Sequence, residues 1–230
     1  MSELMQQSMF FGAFLSIGTY LLGMMIKRKF RLAICNPLLI SIALTIAVLV
    51  LTGVDYGTYN ESAKYLSYFL TPATVCLAVP LYQQLEQLKS NWKAILGGIL
   101  SGVLTSLVTI LVLAKLFGLG HAEYVTLLPK SITTAIGMGV SEELGGYVTI
   151  TVAVIVITGV FGNMIAEAVC RLFRIREPIA RGIAIGSAAH AIGTARAMEM
   201  GEIEGAMSSL SIAVAGLLTV VGASFFAPLL

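Results

Sequence analysis

Apolar stretches of about 18 or more residues recur along this chain, with the charges gathered into short segments between them. A helix of that length rises far enough to cross a hydrocarbon core of ~30 Å. Each stretch is therefore read as a membrane helix. A soluble alternative fails on composition: 57% of the 230 residues are hydrophobic and 11% are charged, against roughly 45–50% and about 25% in ordinary soluble domains. Such a chain could not cover its core with polar surface. The net charge of +2 carries less information than its distribution, and no nucleic-acid partner is expected.

Candidate full spans are Met9–Ile26, Pro37–Gly53, Tyr65–Leu88, Trp92–Phe117, Tyr147–Phe173 and Met207–Leu230. The N-terminal stretch lacks the basic start and the small-residue cleavage site of a secretory signal, so the first helix is expected to be retained. Basic clusters lie at Lys27–Arg31, Lys89–Lys93 and Arg171–Arg181, and the positive-inside rule assigns all three to the cytoplasm. The N-terminus, residues 54–62 and residues 118–121 then fall outside. Two segments rich in Gly, Ser and Thr remain, Ala122–Gly146 and Ile179–Gly201. The first must enter and leave on the outer face, as a re-entrant or broken hairpin. The second starts inside and either spans or re-enters; if it re-enters, the C-terminus is external.

These two segments share a Ser-x-x-x-Ala-Ile-Gly core. A shift of 56 positions superposes Ser131 on Ser187, Ala135-Ile136-Gly137 on Ala191-Ile192-Gly193, Glu143 on Glu199 and Gly145 on Gly201. Because one enters from outside and the other from inside, they form an inverted pair, and broken helices in inverted halves point to a transporter's substrate site near mid-membrane. The expected fold is an all-α polytopic membrane protein with about six full spans and two re-entrant or broken-helix segments forming that pair. It is one integral membrane domain over 1–230, comprising N-terminal helices 1–121 and candidate repeats 122–175 and 178–230. The two Ala-Ile-Gly segments are expected to cross closely.

Prolines at 72, 80 and 129 each remove a backbone donor, which a membrane tolerates only where protein or a water-lined cavity satisfies the freed groups. Lys130 and Arg196 are the cations hardest to place in a cytoplasmic loop, and an ionisable group at membrane depth faces the bundle interior. Two readings of them are open. In one they are ion-pair partners, Lys130 with Glu142 or Glu143 and Arg196 with Glu199 or Glu204. In the other, Lys130, Ser131, Thr133, Thr134, Ser187, His190, Thr194 and Arg196 bind a small carboxylate, since broken-helix amides, hydroxyls and a fixed cation suit an anion. His190 either handles a proton or bonds a neighbouring helix. With His121 the only other histidine and Cys35, Cys76 and Cys170 scattered, neither a metal site nor a disulfide is expected, and no cofactor. Asp55 is the only aspartate, which excludes an intramembrane aspartyl dyad, and no metalloprotease or nucleotide-binding motif occurs.

Glycines four apart at Gly98/Gly102, Gly182/Gly186 and Gly201/Gly205 permit close helix contact, either within the chain or in a homo-oligomer. Trp92, Tyr65, Tyr68, Tyr124 and Tyr147 lie at span ends, as interface anchors would.

The motifs "NPLL" (36–39), "LTPATVCLAVPLYQQ" (70–84), "LPKSITT" (128–134) and "GSAAHAIGTARAMEMGEIEGAMSSL" (186–210) resemble the LrgB/CidB family of bacterial membrane proteins, in the same order, from about Asn36 to the C-terminus. The resemblance implies a multi-pass protein of the bacterial cell membrane. It implies antiholin-like or holin-like regulation of murein hydrolase activity and cell lysis, usually with a small LrgA/CidA-type membrane partner. It also implies transport, since relatives serve in pyruvate uptake and as the plant plastid glycolate/glycerate transporter. It supplies no catalytic residues, so the candidate site rests on the residues themselves. A monocarboxylate carrier leads because the charged segments occur in duplicate; a regulator that moves no substrate is the alternative.

Overall fold

The computed structural model describes residues 10–30, 35–76 and 78–230. Among them every element is helical: α1 (Phe11–Phe30), α2 (Pro37–Thr52), α3 (Tyr56–Ala63), a 3-10 turn (Lys64–Phe69), α4 (Leu70–Cys76), α5 (Ala78–Gln83), α6 (Leu85–Phe117), α7 (His121–Leu127), α8 (Thr134–Glu143), α9 (Val148–Leu172), α10 (Pro178–Met200), α11 (Glu202–Phe226) and a closing 3-10 turn. The chain divides into two compact units, one ending at Cys76 and one beginning at Leu77.

In the first unit α1 and α2 pack antiparallel along a polar seam. Gly23 lies so close to Pro37 that an added Cβ would stand 2.6 Å from its carbonyl oxygen. One turn away, the Thr19 hydroxyl lies 2.9 Å from that of Ser41 and 3.1 Å from that of Thr45. Asn36 caps α2 by accepting from the amides of Leu38 and Leu39, and Gly53, at φ 66°, ends it. The expected first span starts at Met9 and its basic cluster ends at Arg31, both outside the described residues.

Three helices among the described residues are long and apolar enough to cross a bilayer: α6, α9, and α11 continued through the last turn. They match three of the expected spans. The others differ. α2 is apolar but only 16 residues long, and the expected span Tyr65–Leu88 is not one helix. It passes through the 3-10 turn and the helical residues 70–76 and 78–83, and a turn at Gln84 parts these from α6; Pro72 lies in the first turn after the 3-10 stretch, where a missing N–H costs least. The last turns expected of it belong instead to α6, which runs unbroken for 33 residues through "KSNWK". That stretch is polar because it opens the helix.

α6 buries Ile95, Ile99, Val103, Leu107, Ile110 and Ala114 along one face and leaves Leu96, Leu100, Leu104 and Val108 exposed on another. An apolar outer face suits lipid. Lipid gives no hydrophobic drive to helix association, so close packing at small residues must hold the bundle together. The glycine pairs do this within the chain: Gly98 and Gly102 meet Ile183 and Ser187, Gly182 and Gly186 meet Glu204 and Ser208, and Gly205 meets Met198.

Two segments of the second unit double back. α7, with seven residues, and α8, with ten, rise about 10 and 15 Å, so neither limb crosses a bilayer. α7 stops just before Pro129, and the chain turns at Leu128–Thr133. The base of this hairpin is clasped by hydroxyls: Thr126 Oγ1 accepts from the Tyr147 amide at 2.8 Å, and Thr151 donates to the Thr126 carbonyl and to Ser141 Oγ at 3.0 and 2.7 Å. Tyr124 is fully buried and donates to the Phe226 carbonyl at 3.0 Å. It closes the end of α11 and is not an interface anchor.

α10 reverses at His190, whose φ of 42° and ψ of −141° are not helical. Gly182 and Thr194 would be about 18 Å apart on a continuous helix. Yet Gly182 packs on Glu204 and Met207, and the Thr194 hydroxyl lies 2.7 Å from that of Ser208. Both limbs thus lie on the same stretch of α11, the first parallel to it and the second antiparallel. Of the two readings open for Ile179–Gly201, the geometry matches a segment that doubles back.

Candidate functional site

Between α6, the first limb of α10 and the tip of the α7–α8 hairpin lies a cavity of about 720 Å³. α6 contributes Asn91, Gly98, Ser101, Gly102, Thr105, Ser106 and Thr109; α10 contributes Ile183, Ser187 and Ala188; the hairpin tip contributes Lys130 and Ser131. Gly98 faces Ile183 and Gly102 faces Ser187, so α6 and this limb run parallel. Asn91 and Glu177 therefore mark one end of the cavity, beside the basic segments, and Lys130, whose partner Ser131 meets Ser106, marks a point about four helical turns deeper.

The polar groups converge at that deep end. Lys130 donates from Nζ to Ser131 Oγ at 2.9 Å, and Ser131 Oγ lies 3.4 Å from Ser106 Oγ. Lys130 pairs with neither Glu142 nor Glu143, and among the described residues no carboxylate lies within ion-pair distance of it. Ser187 spends its proton on the Ile183 carbonyl at 2.7 Å, which leaves its lone pairs toward the cavity. A Cβ on Gly102 would stand 3.1 Å from the Ser187 oxygen, so the glycine keeps that hydroxyl clear.

Of the eight residues singled out from the sequence, Lys130, Ser131 and Ser187 share this cavity. Thr133 and Thr134 sit beside the tip, Thr133 at the N-cap of α8 without a capping side-chain bond. His190 is 3% exposed; its Nε2 donates to the Ile155 carbonyl at 3.0 Å. Thr194 is fully buried and bonds His190 O and Ser208. Arg196 lies elsewhere, in a second pocket of about 450 Å³, where it pairs with Glu167 and Glu199 at 2.5 Å each. Glu199 was one of its two expected partners; the other, Glu204, pairs with Arg181 at 3.7 Å.

The expected close crossing of the two Ala-Ile-Gly segments is not present. Gly137 packs on Ile155 and Pro129, whereas Gly193 packs on Ala189 and Ile185 of its own hairpin. Each glycine serves the fold of its own segment, and α9 links the two: the Ile155 side chain meets Gly137 while its carbonyl accepts from His190. The sequence reading also missed the hydroxyls of α6. Their signal was Ser101, Thr105 and Thr109 at intervals of four in an otherwise Leu/Val/Ile helix, which places them on one face.

Bilayer-length apolar helices packed with hairpins too short to cross define a multi-pass integral membrane protein, of a kind found in the bacterial cell membrane. The chain belongs to the LrgB-like family, whose model matches residues 16–229. Relatives from Bacillus cereus (strain B4264) and Bacillus anthracis (strain A0248), each named antiholin-like protein LrgB, are 36% identical over 220 residues, covering 95% of this chain and 96% of theirs. No solved structure matches it.

Proposed function

We propose that the protein carries a small monocarboxylate, pyruvate or glycolate in size and charge, through the α6–α10 cavity. The carrying observation is Lys130, a cation at the deep end of a hydroxyl-lined cavity with no carboxylate beside it. Lys130 is half-buried; an ammonium partly withdrawn from water without a counter-ion is costly, and an anionic substrate would supply the missing charge. Ser131, Ser106 and Ser187 offer it further polar contacts, with Thr133 and Thr134 adjacent.

In this reading the spans number about six, and 122–175 and 178–230 are inverted repeats that alternate access around the site. The shift of 56 positions supports it: it carries Thr134, the first residue of α8, onto His190, where α10 reverses, and brings most of α9 onto α11. A small LrgA/CidA-type membrane protein is the proposed partner. The second reading, an antiholin-like regulator of murein hydrolase activity that moves no substrate, draws on the names of the relatives.

Uptake of labelled pyruvate and glycolate into proteoliposomes, with and without an LrgA-type protein, separates the two. Saturable uptake that fails in Lys130→Met supports the carrier. Its absence under both conditions, with correctly inserted protein, leaves the regulator.

A further inference from the structure

The second pocket is built from the end of α9, the loop after it and both ends of α10, and five guanidinium groups line it: Arg171, Arg174, Arg176, Arg181 and Arg196. Two carboxylates, Glu167 and Glu199, line it with them. Both are engaged by Arg196, and Glu167 also lies 3.6 Å from Arg171. Arg181 is held by the Ile175 carbonyl at 2.8 Å and by Glu204. Arg174 and Arg176 have no carboxylate partner among the described residues. The positive-inside rule accounts for basic residues on this side of the membrane, but not for their convergence on one concavity. Lys89 and Lys93, in the other basic segment of this unit, line neither pocket.

We propose that this pocket binds a phosphate-bearing anion, with Arg174 and Arg176 as its principal donors. Guanidinium forks match phosphate oxygens in two-pronged hydrogen bonds, and five guanidinium groups against the three carboxylates that engage them, Glu167, Glu199 and Glu204, leave a positive field to be filled. The site is separate from the Lys130 cavity. Because it joins both ends of the α10 hairpin to α9, occupancy would brace that hairpin.

The test titrates inorganic pyrophosphate into the purified full chain in detergent by calorimetry. Arg174→Gln/Arg176→Gln should weaken saturable binding at least roughly tenfold, while Lys89→Gln/Lys93→Gln, which removes the same charge elsewhere, should leave it unchanged. Single variants carry the same comparison if the pair does not purify. Repeating the titration in nanodiscs identifies the source of the phosphate. Loss of pyrophosphate binding in phosphatidylglycerol but not in phosphatidylcholine assigns the site to a lipid headgroup, and retention in both assigns it to a free phosphate compound. The proposal is overturned if pyrophosphate shows no saturable binding in detergent or phosphatidylcholine, or if the two double variants weaken it equally.

Discussion

The imidazole of His190 reaches the carbonyl oxygen of Ile155 at 3.0 Å across a gap that exists only because residue 159 is glycine. A Cβ there would stand 2.7 Å from both Cε1 and Nε2 of the ring. The contact fixes the point at which α10 reverses, and with it the position of Ser187 one turn earlier.

Gly159→Ala should therefore destabilise the protein by ~1–3 kcal/mol, as overpacking does, read as a lower thermal unfolding midpoint in detergent. His190→Ala in the same chain removes the ring that the new methyl meets. The double variant should be more stable than the sum of the single effects predicts; strict additivity would mean that the two residues do not touch.

Lys130→Met should insert normally and lose uptake by about 10- to 100-fold, the equivalent of one charge-assisted hydrogen bond of ~1.5–3 kcal/mol. Lys130→Arg keeps the charge and should retain part of the rate. Unchanged uptake in Lys130→Met would remove this residue from the site.

Arg196 tests the two readings of that residue. Its side chain is 28% exposed and those of its partners are about half exposed, so each pair stabilises by only about 0.2–1 kcal/mol. Arg196→Gln should lower the unfolding midpoint slightly and leave the apparent affinity for substrate unchanged. A raised apparent KM for uptake in Arg196→Lys, with unfolding unaltered, would instead return Arg196 to the substrate.

Disulfide trapping tests the reversal of α10. In a background without native cysteines, Gly182→Cys with Met207→Cys and, separately, Thr194→Cys with Ser208→Cys should both cross-link under mild oxidation, since each pair falls within reach of a disulfide. A continuous α10 allows at most one of the two. Failure of the second pair would restore a spanning helix.

Much of this architecture could be read from residue order alone. In lipid, the length of an apolar run, the position of a proline and the place of a cation are local quantities with direct energetic costs, so α6, α9 and α11 and the stop before Pro129 follow from them, whereas Tyr65–Leu88, read as one span, is not one helix. The duplicated Ser-x-x-x-Ala-Ile-Gly core likewise marked the two segments that double back. Which groups face one another was not local. A backbone at φ 42° and ψ −141° lies outside the regions open to a residue with a side chain, and the alanines at 188, 189 and 191 favour a continuous helix; the reversal depends on Gly159 and Ser208, which lie on two other helices. Lys130 had two glutamates within reach in sequence and took Ser131 instead, while Arg196 found Glu167, 29 residues away. Partner choice among polar groups in a membrane depends on which helix faces are brought together, and only the packed structure decides that.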